Sequence, residues 1–175
     1  MRRMKHIALA LLPAVIIAEI SASQETAPRP PACTSSEHRR MDFWVGEWTV
    51  TENGKPAGFN RIELILGGCA LAENWRSTTG HEGKSFTFFD AARGVWHQTW
   101  IDQQGQPLYI EGGWRNGAMV LEGDSYSADG KPEGRNRISW TVSDDGSVRQ
   151  LWEHRSGTDE WRPLFDGRYV RAVTD

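Results

Sequence analysis

The sequence lacks the short signatures that announce most activities. Its 175 residues hold no Gly-x-Ser-x-Gly nucleophile elbow, no phosphate-binding glycine loop and no His-x-x-x-His zinc pair, so the common local marks of serine hydrolases, nucleotide enzymes and zinc hydrolases are missing. Lys/Arg runs are also missing and the formal net charge is −3, which argues against nucleic acid or an anionic membrane as the main partner. No convincing long helical pattern occurs. Beyond the N-terminal segment no apolar run approaches the roughly 20 residues needed to cross a bilayer. Cysteine is reduced to two residues, Cys33 and Cys69. Their spacing offers no metal pair, and thiol catalysis calls for a nearby histidine that is not there. In an oxidising compartment one bridge between them would tie the N-terminal tail to the domain.

The N-terminus reads as a targeting segment. Arg2, Arg3 and Lys5 form a basic start, Ile7 to Ala18 is apolar, and small residues follow at Ser21, Ala22 and Ser23. This is the layout of a secretory signal peptide over 1–23, which predicts export to a periplasm or to the outside. Cleavage after Ser23 leaves 152 residues, removes Arg2, Arg3, Lys5 and Glu19, and takes the formal charge from −3 to −5. Residues 24–36 are rich in Pro, Ser and Thr and read as a linker. Cys33 ends the stretch "APRPPAC", well past the apolar run, which argues against a lipid-modified cysteine. The domain proper spans 37–175, a length that suits one core.

Within that domain the punctuation is that of hairpins. Turn pairs recur from Asn53-Gly54 through Asn116-Gly117, Asp129-Gly130 and Asp145-Gly146 to Ser156-Gly157, mostly 11 to 16 residues apart. Asn-Gly and Asp-Gly supply the positive φ that tight hairpins require. Strands are predicted near 45–52, 57–66, 69–77, 84–91, 94–102, 107–115, 118–126, 134–143, 147–154 and 161–171. So many consecutive hairpins favour an all-β, up-and-down antiparallel barrel of about ten strands, because closure removes exposed edges. A β-sandwich is the alternative. "SSEHRRMDF" before the first strand predicts one short helical turn capped by Ser35 or Ser36. "TENGKPAGFNRI" (51–62) and "SADGKPEGRNRI" (127–138) match at seven of twelve positions, which reads as one hairpin solution used twice.

Side chains two apart share a strand face. Grouped that way, Glu73 falls with Trp75, Gln98 with Trp96 and Trp100, Asn136 with Ile138 and Trp140, and Gln150 with Trp152 and His154. A filled barrel would carry aliphatic residues on such faces, whereas a ligand cavity carries aromatics with a few polar groups. Glu73, Trp75, Gln98, Trp100, Asn136, Trp140, Gln150 and Trp152 are therefore the candidate lining. Arg61 and Arg137 share the opposite face from Asn60 and Asn136, and the asparagine face is preferred as the inner one because Ile62 and Ile138 lie on it. Nine tryptophans can bury large areas while offering N–H donors.

"FWVGEW" contains Gly46-Glu47-Trp48, which resembles the Gly-x-Trp signature of lipocalins and other calycins. That resemblance implies that Trp48 closes one barrel end, with Trp44 in the same closure, and that a basic side chain of the last strand covers the Trp48 ring. Arg168 and Arg171 are the candidates, with Arg168 slightly preferred because Arg171 is nearly terminal. "NRIELILGGCALAENW", "GKSFTFFD", "GVWHQTWID" and "VRQLWE" are similar to a family of exported bacterial lipocalin-like proteins of unknown function. This likeness implies a Cys33–Cys69 bridge. More distantly the chain resembles nitrobindin-type haem barrels and fatty-acid-binding-protein barrels. No cofactor or metal is expected: for haem, His154 is the only candidate ligand.

Three functional readings follow. The first is a binding protein for a small apolar or aromatic molecule. The second is a small barrel enzyme, an isomerase, cyclase or hydrolase, with Glu73, His97 or Asp102 as acid–base groups. Glu111 and Glu153 are further strand carboxylates that could pair across a barrel mouth. The third is an envelope interaction module using exposed aromatics.

Overall fold

Ten strands follow two helical turns in a computed structural model that describes residues 32–173; the predicted signal peptide and most of the linker lie outside the described residues. Single helical turns occupy Glu37–Arg39 and Asp42–Trp44. Then come β1 (Gly46–Glu52), β2 (Lys55–Ile65), β3 (Ala70–Ser77), β4 (Glu82–Asp90) and β5 (Val95–Asp102). The second half is β6 (Pro107–Arg115), β7 (Ala118–Tyr126), β8 (Pro132–Val142), β9 (Val148–Arg155) and β10 (Arg162–Arg171). Each strand pairs antiparallel with its sequence neighbours, and β10 pairs with β1, so the sheet is a closed up-and-down barrel. This agrees with the calycin-like architecture and rules out the sandwich. The short helical stretch expected before the first strand is present over 37–44; Ser35 Oγ accepts from the His38 N–H at 3.5 Å, and Ser36 makes no side-chain cap.

Turn chemistry explains the meander. Asn53-Gly54 and Asn116-Gly117 both hold positive φ at both positions, the two-residue geometry whose twist matches flanking strands. Strands β2, β4 and β8 each begin two residues before the sequence-predicted start. In β2 and β8 the reason is a bulge. Thr51 pairs with Pro56 and Val50 with Gly58, which skips Ala57; Tyr126 pairs with Pro132 and Ser125 with Gly134, which skips Glu133. Prolines that read as breakers sit at bulges, where the ladder does not need their missing N–H. Ala57 and Glu133 occupy the same position of the sequence echo, but the expectation of one hairpin used twice is corrected: two residues join β1 to β2 and five join β7 to β8, so only the bulge recurs.

Alternate turns of a meander fall at the same barrel end. The end carrying the helical turns is sealed. Met41, Trp44, Trp48, Trp96, Met119, Trp140 and Val148 are all buried there in one cluster. Trp44 meets Trp140 with ring centroids 5.4 Å apart, and the Trp48 indole donates to the Trp44 carbonyl at 2.8 Å. The Cys33–Cys69 disulfide ties the segment before the turns to the β2–β3 connection, and Arg39 donates to the Gly68 carbonyl beside it.

The basic residue over Trp48 is Arg171, its guanidinium carbon 4.0 Å from the ring centroid. It also donates to the carbonyls of Val45 and Phe43. The preference for Arg168 is corrected here for a reason of parity. Arg171 lies directly opposite Trp48 across the β1–β10 seam, whereas Arg168 belongs to the outer face and pairs with Asp145 at 2.6 Å. Gly46 is required by the same contact: its φ is +137°, and a Cβ there would overlap the Arg171 guanidinium.

Trp48→Ala is expected to cost about 3–5 kcal/mol of stability, the range for emptying a buried aromatic site. Arg171→Ala should cost about 1–2 kcal/mol through the lost cation–π contact and carbonyl bonds. Arg168→Ala should cost under about 1 kcal/mol, as for an exposed ion pair. Urea denaturation of the three variants checks the order; an Arg168 variant as damaging as the Arg171 variant would refute the assignment.

Candidate functional site

Above the sealed end the inward positions change character. Ile62, Leu71, Ile110 and Leu121 are buried beside the aromatic plug; nearer the other end the lining becomes Trp75, Trp100 and Trp152 with Glu73, Gln98, Asn136 and Gln150. These surround a cavity of roughly 1340 Å³ that reaches the loops at 53–56, 77–81 and 105–109. Ordinary small-molecule pockets hold about 300–1,000 Å³, so there is room for more than one ring. Two glycines keep the lumen clear. A Cβ on Gly83 would run into the Trp100 ring, and one on Gly58 would meet the Arg76 carbonyl and the Trp75 ring edge. Their absence lets both indoles lie close against the wall.

Polar groups at the cavity's inner end form a directed network. Asn60 Nδ2 donates to Glu73 Oε1 at 2.6 Å, and Ser85 Oγ donates to Glu73 Oε2 at 2.6 Å. Gln98 Nε2 donates to Ser85 Oγ at 3.2 Å and to Thr87 Oγ1 at 3.1 Å. Across the barrel Tyr169 donates to Gln150 Oε1, and the Trp152 indole donates to Asn136 Oδ1 at 3.0 Å. Glu73 is only 4% exposed. Burial lifts its carboxyl above the ordinary glutamate range, with hydrogen bonds from Ser85 and Asn60 pulling the other way. The Tyr169 phenol is raised well above its usual value, by burial first and then by the charge of Glu73. Asn60 Oδ1 is sealed from solvent without a partner.

Of the predicted lining residues, Glu73, Trp75, Gln98, Trp100, Asn136, Gln150 and Trp152 border this cavity. Trp140 does not, and its assignment is corrected: it shares the inner face but lies one step deeper, fully buried against Trp44 in the plug. Asn60, Ile62, Asn136 and Ile138 are buried, while Arg61 and Arg137 pair on the outside with Glu63 and Glu153 at 2.9 and 2.8 Å.

The acid–base candidates separate in the same way. Asp102 lies at the mouth. His97 is on the outer face, stacked on Phe88 and 3.3 Å from Glu111, so neither His97 nor Glu111 reaches the cavity. His154 borders the mouth, opposite Asn136 in register. Among the described residues no group of three His, Cys, Asp or Glu is arranged to hold a metal.

Several site residues escaped sequence reading. Ser85 and Thr87 face inward on β4, where Ser85 is 3% exposed and Phe86 56%; the signal available was their two-residue spacing opposite Trp100 and Gln98. His81 was also missed. Its Nε2 lies 3.1 Å from Asp102 Oδ2 at the mouth. Burial works to raise the Asp102 carboxyl, yet bonds from the Gln106 N–H, His81 and the Gln104 N–H together hold it below the usual range.

A carboxyl raised in the folded state holds its proton more tightly there than in the unfolded chain. Stability therefore falls as pH rises from the ordinary glutamate range through the raised folded value, and levels off above it. Glu73→Gln keeps the shape and removes that loss. Its Tm is expected to exceed the wild type at pH 8, with the gap closing toward pH 4. Thermal melts at both pH values check this, and a variant less stable than wild type at pH 8 would show that the charge is already compensated. Neither a known protein-family model nor any curated protein matches this chain.

Proposed function

We propose that the protein binds a small, largely apolar or aromatic molecule inside the barrel. The observation that carries this reading is the cavity itself: three tryptophans stand over a hydrogen-bonded polar end, in a lumen that aliphatic side chains would fill in a solid barrel. Trp75, Trp100 and Trp152 would supply the stacking walls, and Glu73, Gln98, Asn136 and Gln150 would orient polar groups. A mature protein exported to a periplasm or to the outside fits the disulfide and the N-terminal sequence; no described helix is long and apolar enough to cross a membrane.

A second reading has one observation in its favour. His81 and Asp102 form a hydrogen-bonded pair at the mouth of a cavity that also holds a buried acid, the kind of setting acid–base chemistry uses. Asp102→Asn discriminates, since an enzyme would lose turnover while a binder would keep most of its affinity.

The neutral dye N-phenyl-1-naphthylamine tests the binding reading. Its fluorescence should rise on binding. Trp100→Ala and Trp152→Ala should each weaken affinity about tenfold, in line with roughly 0.5–1.5 kcal/mol for an aromatic contact plus lost area. Trp48→Ala should change stability without changing affinity per folded molecule. Equal dye binding by the wild type and a Trp100→Ala/Trp152→Ala double variant would sink the proposal.

A further inference from the structure

Glu73 is an acid placed where a carrier of anionic or neutral molecules would have no use for one. Its two oxygens already receive donors, Asn60 on one side and the Gln98-to-Ser85 relay on the other. This polarity suits a carboxylate rather than a carboxylic acid. Yet no cation answers it. The neighbouring strands offer Asn60 and Ile62 from β2, Ser85 and Thr87 from β4 and Gln98 from β5; the titratable group facing it is the Tyr169 phenol of β10, whose proton is engaged by Gln150. Among the described residues no arginine lines the cavity, and the one lysine there, Lys55, stands at the mouth. A buried charge without a counter-charge is costly unless something else supplies the partner.

The remainder of the cavity has the same sign. Both N–H groups of Gln98 are taken by hydroxyls, which leaves its carbonyl oxygen as an acceptor. Toward the mouth stand Glu52, Asp102, Asp124 and Glu133 against Lys55, His81 and His154, with Arg135 3.4 Å from Asp124. A cleft lined by excess negative charge raises the local concentration of cations. The faces of Trp75, Trp100 and Trp152 attract cations through their quadrupoles.

Resting on the cavity-binding reading above, we infer that the ligand is an organic cation: an amine or ammonium head docks against the Glu73 carboxylate, and its apolar or aromatic body lies among Trp75, Trp100 and Trp152. The inference excludes a fatty-acid-like ligand, because a second carboxylate beside Glu73 would raise the energy of both. It also fixes the proton balance. Where Glu73 is protonated in the empty barrel, cation binding releases that proton to solvent, so affinity rises with pH until the carboxyl is ionised.

Three probes that share a naphthylmethyl body test this by titration of tryptophan fluorescence in the purified protein. They are (2-naphthylmethyl)trimethylammonium, its uncharged carbon isostere 2-neopentylnaphthalene, and 2-naphthylacetate. At pH 8 the ammonium probe is expected to bind at least tenfold tighter than the isostere, and the acetate weakest of the three. The ammonium affinity should climb between pH 4 and pH 8 while that of the isostere stays level. In Glu73→Gln the ratio of ammonium to isostere affinity should fall at least about fivefold, to the preference left by the mouth acids and the indole faces, with retained isostere binding reporting an intact cavity. The pH series on the wild type gives the same information without a variant. Should the isostere bind and the ammonium probe show no preference, the cationic assignment fails while the cavity reading stands. If none of the three binds, both fail.

Discussion

The guanidinium of Arg171 over the Trp48 ring is the contact on which the barrel depends. A ten-strand meander builds itself from neighbouring hairpins, but its last strand must find its first across more than a hundred residues of chain. Closing that separation carries an entropic cost that only contacts at the seam can offset. Trp48 and Arg171 are direct cross-strand partners on that seam, and the guanidinium also binds two carbonyls of the plug segment. Register follows from this pairing. With Arg171 opposite Trp48, Tyr169 falls opposite Val50 and turns inward beside Gln150. A slip of one residue would present Arg168 and Val170 to the core and expose Tyr169.

Closure at one end permits openness at the other. Buried indoles and aliphatic side chains concentrate in the plug, where the Trp44, Trp96 and Trp140 N–H groups lack partners. That half supplies hydrophobic stability at the expense of a few unmade hydrogen bonds. The cavity half is organised on the opposite principle, with nearly every buried polar side chain bonded to another. Asn60, Glu73, Ser85, Thr87 and Gln98 contribute little apolar burial, and a buried carboxyl raised by its surroundings lowers stability at neutral pH. Residues that weaken a fold at the place where space is left open have the distribution expected of a site, where function competes with stability.

Strand number and turn positions were legible because each rests on local chemistry, Asn-Gly turns and two-residue periodicity, whereas the closing role of Trp48 was implied by the resemblance of Gly46-Glu47-Trp48 to the Gly-x-Trp signature. Most of the cavity lining was legible from the same alternation. Depth was not. Trp140 shares a face with Asn136 and Ile138, and nothing in the spacing says that two residues further along the strand is already inside the plug. The phase of β4 was not legible either: the alternation in "SFTFF" does not say which face turns inward, and the pairing with β3 and β5 places Ser85 and Thr87 inside and leaves Phe86 and Phe88 exposed on the outer face. The partner strands decide the phase, and their vote is long-range information. His81 was hidden for a related reason: its link to Asp102 joins a loop to a strand end 21 residues away.

The repeated bulge shows how a short sequence echo becomes a geometric device. Gly58 and Gly134 hold equivalent places after the bulges, and a Cβ at either would strike the backbone of the next strand, at Arg76 or Arg155. Both glycines therefore permit β2 and β8 to approach β3 and β9 closely just beyond a bulge, where a bulged strand bends most. The bend brings Asn60 and Asn136 inward in each copy, but toward different partners: Asn60 donates to Glu73, and Asn136 accepts from Trp152. The first asparagine thus holds the acid and the second holds the aromatic wall. The two asparagines set the two chemical components of the proposed site although the hairpins before them differ: Asn53-Gly54 alone joins β1 to β2, whereas residues 127–131 join β7 to β8, and Gly58 pairs with Val50 where Gly134 pairs with Ser125.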